Sequence, residues 1–218
     1  MIADAPSIRS GGFFSLLPAL LCAGLLAACV SALPLESELD PTVDNDLPSA
    51  EMPATHLQEP GQDEVIVVVN NSSGIGNHAG IFVGRRLSDP AGSYRFVRSQ
   101  VKGWKRPTLN DYIAYQLVDG ERVQSYRFAL TESELSAIAA RLPTADAAAP
   151  LFCASATNNA LAGIGPFATI KPVNWMSPAA VADELDAILK ANPGIGRCAL
   201  PDGSPCAKPV QVRAATSK

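Results

Sequence analysis

Val65-Ile66-Val67-Val68-Val69 and His78-Ala79-Gly80-Ile81-Phe82-Val83 are the two stretches that decide the fold of this chain. The first is a run of β-branched residues that ends at the turn residues Asn70-Asn71-Ser72-Ser73-Gly74, which is typical of a buried strand followed by a turn. The second predicts another strand. Because Gly84-Arg85-Arg86 can form a tight connection into Leu87-Ser88-Asp89, we expect a β-hairpin here.

The chain beyond this hairpin mixes helix and strand signals without a strict alternation, which predicts the α+β class. Capping residues and hydrophobic periodicity indicate, in chain order, a strand over Tyr94–Val101, a helix from Thr108 to Leu117, a strand over Val123–Leu130, a helix from the capping box Thr131-Glu132-Ser133-Glu134 to about Leu142, a helix with Cys153 near its start that ends near Ala162, a strand over Phe167–Trp175, and a helix from the cap Ser177 to about Asn192.

Length and charge limit the possible classes of function. The 218 residues carry a net charge of −4 at pH 7 and an isoelectric point near 5.2, and no long run of Lys or Arg is present. This composition offers no basic surface for nucleic acid. We predict one folded domain over residues 64–195, followed by a C-terminal tail over 196–218.

The N-terminus has the pattern of a bacterial export signal over residues 1–28. An apolar stretch, Phe13–Val30, is interrupted by Pro18 and is short for a transmembrane span, which is the alternative interpretation. Leu26-Ala27-Ala28-Cys29 resembles the bacterial lipobox, which implies cleavage before Cys29 and attachment of lipid, such as palmitate, to that residue. Val30 after the cysteine resembles the outer-membrane default. We therefore expect a lipoprotein of the cell envelope, anchored to the outer membrane and facing the periplasm.

The segment 29–63 differs in composition from the rest of the chain. Between Ser31 and Asp63 it has five prolines, many acidic residues and no Lys or Arg. Such a segment cannot bury enough apolar surface to offset its conformational entropy, so we predict a disordered acidic tether. His56 lies in this tether and is interpreted as a solvated linker residue.

The cysteines separate into different roles. Cys22 leaves with the signal peptide and Cys29 is the anchor. Cys198 and Cys206 flank a short loop rich in Pro and Gly, which in an oxidising compartment favours a disulfide. Cys153 is left without an evident partner. It could be a buried small apolar residue, could pair with Cys198 or Cys206, or could be reactive.

A reactive role has a clear chemical basis. A thiol attacks as the thiolate, and the unpaired N–H groups and the dipole at a helix start stabilise negative charge there. Cys153 is predicted in the first turn of its helix. A neighbouring imidazole can accept the thiol proton and return it to the leaving group, and His78 is the candidate for that general base. Neither metal nor cofactor binding is predicted, because two histidines in different environments and one free cysteine do not make a site.

The order of these parts resembles a known family. A histidine that opens a strand within Asn77–Gly84, followed about 75 residues later by a cysteine that opens a helix within Leu151–Leu161, resembles the circularly permuted NlpC-type branch of the papain-like cysteine hydrolases and acyltransferases. The resemblance covers about Val65 to Leu161. It implies an antiparallel sheet packed against the cysteine-bearing helix, with Cys153 as nucleophile and His78 as general base.

The family also has a third polar residue that orients the imidazole. Asp89 is the best match, because it lies across the predicted hairpin and a carboxylate can hold the second ring nitrogen. With a two-residue turn Asp89 would share a face of the sheet with His78, and with a three-residue turn it would not. Arg98 and Ser99 are weaker alternatives. Many relatives have a second histidine at this place, so the chain departs from the family pattern here.

Two functions from different classes follow. The first is an envelope-anchored cysteine peptidase, amidase or acyltransferase that acts through Cys153 and His78, with amide bonds of cell-wall peptides as the expected substrate and lipid acyl chains as an alternative. The second is a non-catalytic envelope lipoprotein that keeps the fold as a binding or structural module. In both, the expected partner is the membrane, through the lipid on Cys29.

Overall fold

Five strands form one antiparallel sheet in the computed structural model, which describes residue 53, residues 55–74 and residues 76–206. The strands are β1 (Glu64–Asn70), β2 (His78–Val83), β3 (Arg86–Ser88), β4 (Val123–Ala129) and β5 (Gly196–Ala199), in the spatial order β3-β2-β1-β4-β5. The predicted signal peptide, Cys29, residues 29–52 of the predicted tether and residues 207–218 of the tail lie outside the described residues.

Within the described residues, five α-helices accompany the sheet, and the α+β class is confirmed. They are α1 (Tyr94–Ser99), α2 (Leu109–Gln116), α3 (Glu132–Asp146), α4 (Cys153–Leu161) and α5 (Pro178–Ala191). Thr108 caps α2, the predicted capping box opens α3, and Ser177 caps α5. None of the helices in the described part of the chain combines the length and hydrophobicity that a membrane span needs.

The central strand β1 is buried on both faces, which explains its uninterrupted β-branched sequence. Val65, Val67 and Val69 belong to the core cluster formed with α3, α4 and α5. Ile66 and Val68 belong to a second cluster on the opposite face, formed with residues of α1 and α2. The sheet therefore separates two layers of helices.

The hairpin of β2 and β3 has a two-residue turn. Val83 pairs with Arg86, so only Gly84 and Arg85 lie between the paired positions. Gly84 has φ +54, a left-handed conformation that glycine adopts without a steric penalty. The turn fixes which residues of β2 and β3 are paired, and side chains alternate between the two faces of the sheet along each strand. Asp89, the next residue after β3, therefore shares a face with His78.

The predicted strand over Tyr94–Val101 is wrong, because this segment forms the short helix α1. Tyr94 donates its hydroxyl proton to Asp111, and Arg98 also binds Asp111. Residues four apart lie about one turn apart on a helix but would lie about 13 Å apart along a strand. Only a helix brings both side chains to one carboxylate.

The predicted strand over Phe167–Trp175 is also wrong. Its first residue ends a 3₁₀ turn and the rest is irregular. Pro172 removes a backbone donor from the middle of the segment. Side chains of α4 bind this backbone in place of a neighbouring strand: the Asn159 amide donates to Val173 O and accepts from Val173 N, both at 2.8 Å.

The last part of the predicted tether is not a free coil. Thr55 Oγ1 donates to Asn110 Oδ1 at 2.7 Å, and the backbone N–H of Leu57 donates to the same atom at 2.9 Å. The Glu59 carboxylate accepts the N–H of Leu109 at 2.8 Å. The prediction of a tether that ends at residue 63 missed these contacts, because a negative charge at a helix N-terminus is stabilised only once α2 is in place.

The predicted disulfide between Cys198 and Cys206 is present, with the two Cα atoms 5.4 Å apart. Cys198 lies in β5, a strand that pairs with β4 at the edge of the sheet and was not expected. Cys153 is a free, buried cysteine. The alternative pairing of Cys153 with either of these cysteines is therefore excluded in the structure.

Candidate active site

The first residue of α4 is Cys153, and the contact of α4 with β2 places it beside His78. Thr157, one helical turn after Cys153, donates its hydroxyl proton to the Ala79 carbonyl at 3.3 Å. Residues four apart share a face of a helix, so Cys153 and Thr157 both lie toward β2. Since His78 is the first residue of β2, the thiol and the imidazole meet where the strand and the helix begin.

The imidazole is held by the predicted third residue. His78 Nε2 lies 2.7 Å from Asp89 Oδ1, and the Asp89 side chain is almost fully buried. When Nε2 carries a proton for this carboxylate, Nδ1 is the ring nitrogen left to exchange a proton with a thiol. The structure places Asp89 in this position and not Arg98, which binds Asp111, or Ser99, which donates to a carbonyl within α1.

The groups that act on the Cys153 thiol are the His78 imidazole and the backbone N–H groups of Ala79 and Ala154. Burial opposes ionisation of the thiol. The nearby His78 ring, its charge and the two N–H groups outweigh that effect and lower the pKa of Cys153 below its ordinary value. These groups favour the thiolate form of Cys153.

His78 responds in the opposite direction. Burial alone would lower its pKa, but the hydrogen bond to Asp89, the nearby Cys153 thiol and the negative charge of both raise the pKa of His78 to about 9. The ring is therefore protonated at neutral pH. Both shifts act in the direction of a thiolate–imidazolium pair.

Tyr112 on α2 is a further member of the site that the sequence did not reveal. Its fully buried hydroxyl donates to Asp89 Oδ1 at 2.7 Å, while the Tyr94 N–H donates to Asp89 Oδ2 at 3.3 Å. Burial and the charge of Asp89 raise the pKa of Tyr112 well above its usual range, so the hydroxyl stays protonated and remains a donor. Asp89 is thus oriented by donors from two helices.

Two glycines leave room for this arrangement. A Cβ added at Gly80 would lie 2.3 Å from Tyr112 Oη, and one added at Gly92 would lie 2.1 Å from Asp89 Oδ2. A glycine isolated within a strand marks a close approach of another group. Gly80, between Ala79 and Ile81, was the one signal in the sequence that could have pointed to Tyr112.

The other predicted residues lie elsewhere. His56 is exposed, and its backbone N–H donates to Pro201 in the disulfide loop. The disulfide at β5 is separated from β2 by β1 and β4. Among the described residues, no group of three or more His, Cys, Asp and Glu side chains is arranged to hold a metal ion.

Comparisons of the chain with protein-family models, with curated proteins and with solved structures gave no match.

Proposed function

We propose that this protein is a cysteine hydrolase or acyltransferase with a permuted papain-like fold, which acts through an acyl-enzyme on Cys153. One observation carries the proposal: His78, whose Nε2 is hydrogen-bonded to Asp89 Oδ1, lies beside the Cys153 thiol at the start of α4. The order of the parts agrees with that family, because the histidine strand precedes the cysteine helix and the helix packs against an antiparallel sheet.

The geometry supports a two-step reaction, of which acylation is the first. The Cys153 thiolate attacks a substrate carbonyl carbon, and the carbonyl π electrons move to the oxygen. N–H groups at the start of α4 stabilise that oxyanion, since the cap residue Phe152 has no polar side chain to occupy them. As the tetrahedral intermediate collapses, the His78 imidazolium donates its Nδ1 proton to the leaving amine or alcohol, and a thioester on Cys153 remains.

Deacylation follows with the same groups. Neutral His78 takes a proton from water, the hydroxide attacks the thioester, and the carboxylic acid leaves as the thiolate and the imidazolium form again. If an acceptor amine or alcohol replaces water, the product is a new amide or ester. Asp89 and Tyr112 keep the ring in the required orientation throughout.

The place of action in this proposal follows from the lipobox at Cys29. A lipid-anchored enzyme of the bacterial envelope, facing the periplasm from the outer membrane, would meet amide bonds of cell-wall peptides and acyl groups of lipids. The membrane, through that lipid, is its proposed partner.

A non-catalytic binding module is the second candidate, and the burial of the Cys153 thiol favours it. The Cys153 residue is only 6% exposed, so a substrate needs a path to the sulfur. A catalytic site and a degenerate one differ in how fast a small electrophile reaches this thiol.

Alkylation by iodoacetamide at pH 6 tests the proposal. An ordinary thiol with a pKa of about 8.5 is less than about 1% thiolate at that pH. We expect Cys153 to react at least about tenfold faster than N-acetylcysteine, and His78→Ala to remove most of the excess. The readout is the mass of the Cys153 peptide after digestion, so that the other cysteines of the chain do not contribute.

His56→Ala is the matched control, because His56 is the other histidine and has no contact with the site. Its rate should equal that of the wild type. If the Cys153 rate equals that of N-acetylcysteine and is the same in both histidine variants, the protein is not a cysteine hydrolase and the binding module is the correct interpretation.

A further inference from the structure

A cavity of about 460 Å³ lies between α3 and α4, next to the candidate active site. Its volume is within the range of small-molecule sites, about 300–1,000 Å³. The residues that form most of its wall are small or apolar: Ala145, Ala148, Ala149, Phe152, Ala156 and Ala160. The short side chains of these alanines leave the space that a longer hydrocarbon group would need.

The cavity is continuous with the start of α4. Phe152 immediately precedes Cys153, and Ala156 and Ala160 follow it by about one and two helical turns. Ala156 and Ala160 lie three and seven positions after Cys153, so their side chains and the thiol lie on adjoining sides of the same helix. An acyl group on Cys153 would therefore start beside the wall of the cavity.

Large apolar side chains are exposed around the start of α4. Leu151 is 83% exposed and has φ +72, and Phe152 is 40% exposed. Trp175 is 57% exposed and follows Asn174, which is part of the cavity wall. Exposed apolar side chains grouped beside a cavity are typical of a surface that binds an apolar partner.

Arg141 and Asn159, two of the polar residues in the wall, already have partners. The Arg141 guanidinium donates to three carbonyl oxygens at the end of α4, those of Asn159, Ala160 and Ala162, at 3.2, 3.4 and 2.7 Å. Its positive charge thus faces the negative end of the helix dipole. The Asn159 amide is occupied by Val173 on both its oxygen and its nitrogen. A charged ligand would have to displace these bonds, and a hydrocarbon would not.

We infer that this cavity is the subsite for the acyl portion of the substrate, and that it takes an uncharged hydrocarbon group attached next to the scissile carbonyl. This inference rests on the proposed function of Cys153. An aliphatic amino-acid side chain and the alkyl chain of a fatty acyl ester share that chemistry.

Acylation by p-nitrophenyl esters provides the test. The rate of p-nitrophenolate release and the mass of the acylated Cys153 peptide are measured for acetate and octanoate esters, and each rate is divided by that of N-acetylcysteine. We expect octanoate to exceed acetate by about tenfold or more, because burial of only two methylene groups corresponds to that factor. N-acetyl-leucine and N-acetyl-aspartate esters form the second arm, in which leucine should react faster.

Ala156→Leu fills the cavity and should reduce the octanoate-to-acetate ratio several-fold. The matched control is Ala187→Leu, the same change on α5 at a smaller cavity that does not include α4, and it should leave the ratio unchanged. If the octanoate-to-acetate ratio exceeds the leucine-to-aspartate ratio, the occupant is an alkyl chain. If the leucine-to-aspartate ratio is the larger, the occupant is an amino-acid side chain.

The outcomes separate the two proposals. If the acetate ester acylates Cys153 but octanoate has no advantage, or if aspartate reacts faster than leucine, the apolar subsite is wrong and the cysteine chemistry stands. If no ester acylates Cys153, both proposals are overturned.

Discussion

At the scale of single residues, the ionisation of Cys153 depends on its neighbours more than on its position at a helix start. The thiol is buried, which by itself raises a thiol pKa, so the two N–H groups and the charged ring have to reverse that effect. The pKa of His78 also depends on its neighbours, but they raise it. Burial disfavours its charged form, and Asp89 and the thiol restore it.

These shifts predict the pH dependence of two reactions. Because the pKa of Cys153 is lowered, alkylation should stay fast on the acid side of the pH at which an ordinary thiol slows. Because the pKa of His78 is raised to about 9, hydrolysis of an amide, which needs the imidazolium as proton donor, should fall as the pH rises through about 9. Alkylation needs only the thiolate and should not fall there.

Rate profiles of iodoacetamide labelling and of amide hydrolysis between pH 4 and 10 check this prediction. In His78→Ala the acid limb of labelling should move up toward the pKa of a free thiol, about 8.5. A hydrolysis rate that keeps rising above pH 9 would contradict the role of His78 as the acid.

At the scale of elements, the site depends on how closely α2 approaches β2. Gly80 in β2 leaves the space that the Tyr112 hydroxyl occupies as it binds Asp89. The helix, the strand and the residue after β3 are therefore fixed against each other by one buried hydrogen-bond network. A change in the packing of α2 is therefore expected to move Asp89 and, with it, the imidazole of His78.

Gly80→Ala should expose this dependence. The added Cβ would lie 2.3 Å from Tyr112 Oη, so the helix must shift, and we expect a loss of about 1–3 kcal/mol in the free energy of unfolding. Cys153 labelling at pH 6 should slow in the same variant. Urea unfolding and labelling rates give the two readouts.

Gly194→Ala is the control for that change, because an added Cβ meets no atom within 4 Å there. Its free energy of unfolding should stay within about 0.5 kcal/mol of the wild type. Equal stability and equal labelling in the two glycine variants would show that the contact of Tyr112 with β2 does not support the site.

At the scale of the whole molecule, the sheet places the disulfide and the candidate site on different strands. β5 carries Cys198 at one edge, and two strands separate it from β2. The closed loop is short, so the crosslink restricts the unfolded chain to a limited extent. Stability and reactivity should therefore respond separately to its removal.

The double variant Cys198→Ser with Cys206→Ser tests this separation. We expect the free energy of unfolding to fall by about 2–3 kcal/mol, the entropic value for a loop of this length. The rate of Cys153 labelling should stay within about twofold of the wild type. Loss of the fast labelling in a variant that remains folded would mean that β5 supports the site from across the sheet.

The sequence by itself determined the α+β class, most of the helices and strands, and the disulfide. It also identified Cys153, His78 and Asp89 as candidate site residues. These follow from local rules, since strand runs, caps and turn residues act within a few positions. The two wrong strands occurred where distant side chains decided the outcome. Asp111 requires a helix at Tyr94–Ser99, and Asn159 holds the segment around Val173 in place of a neighbouring strand.

Only the tertiary structure decided which of these residues meet. The sequence left the turn after Val83 at two or three residues, and the two-residue turn places Asp89 on the face of His78. Tyr112 and the alanine-lined cavity had no local signal of their own. Each arises from elements far apart in the chain that pack against one another, and a local pattern contains no information about such distances.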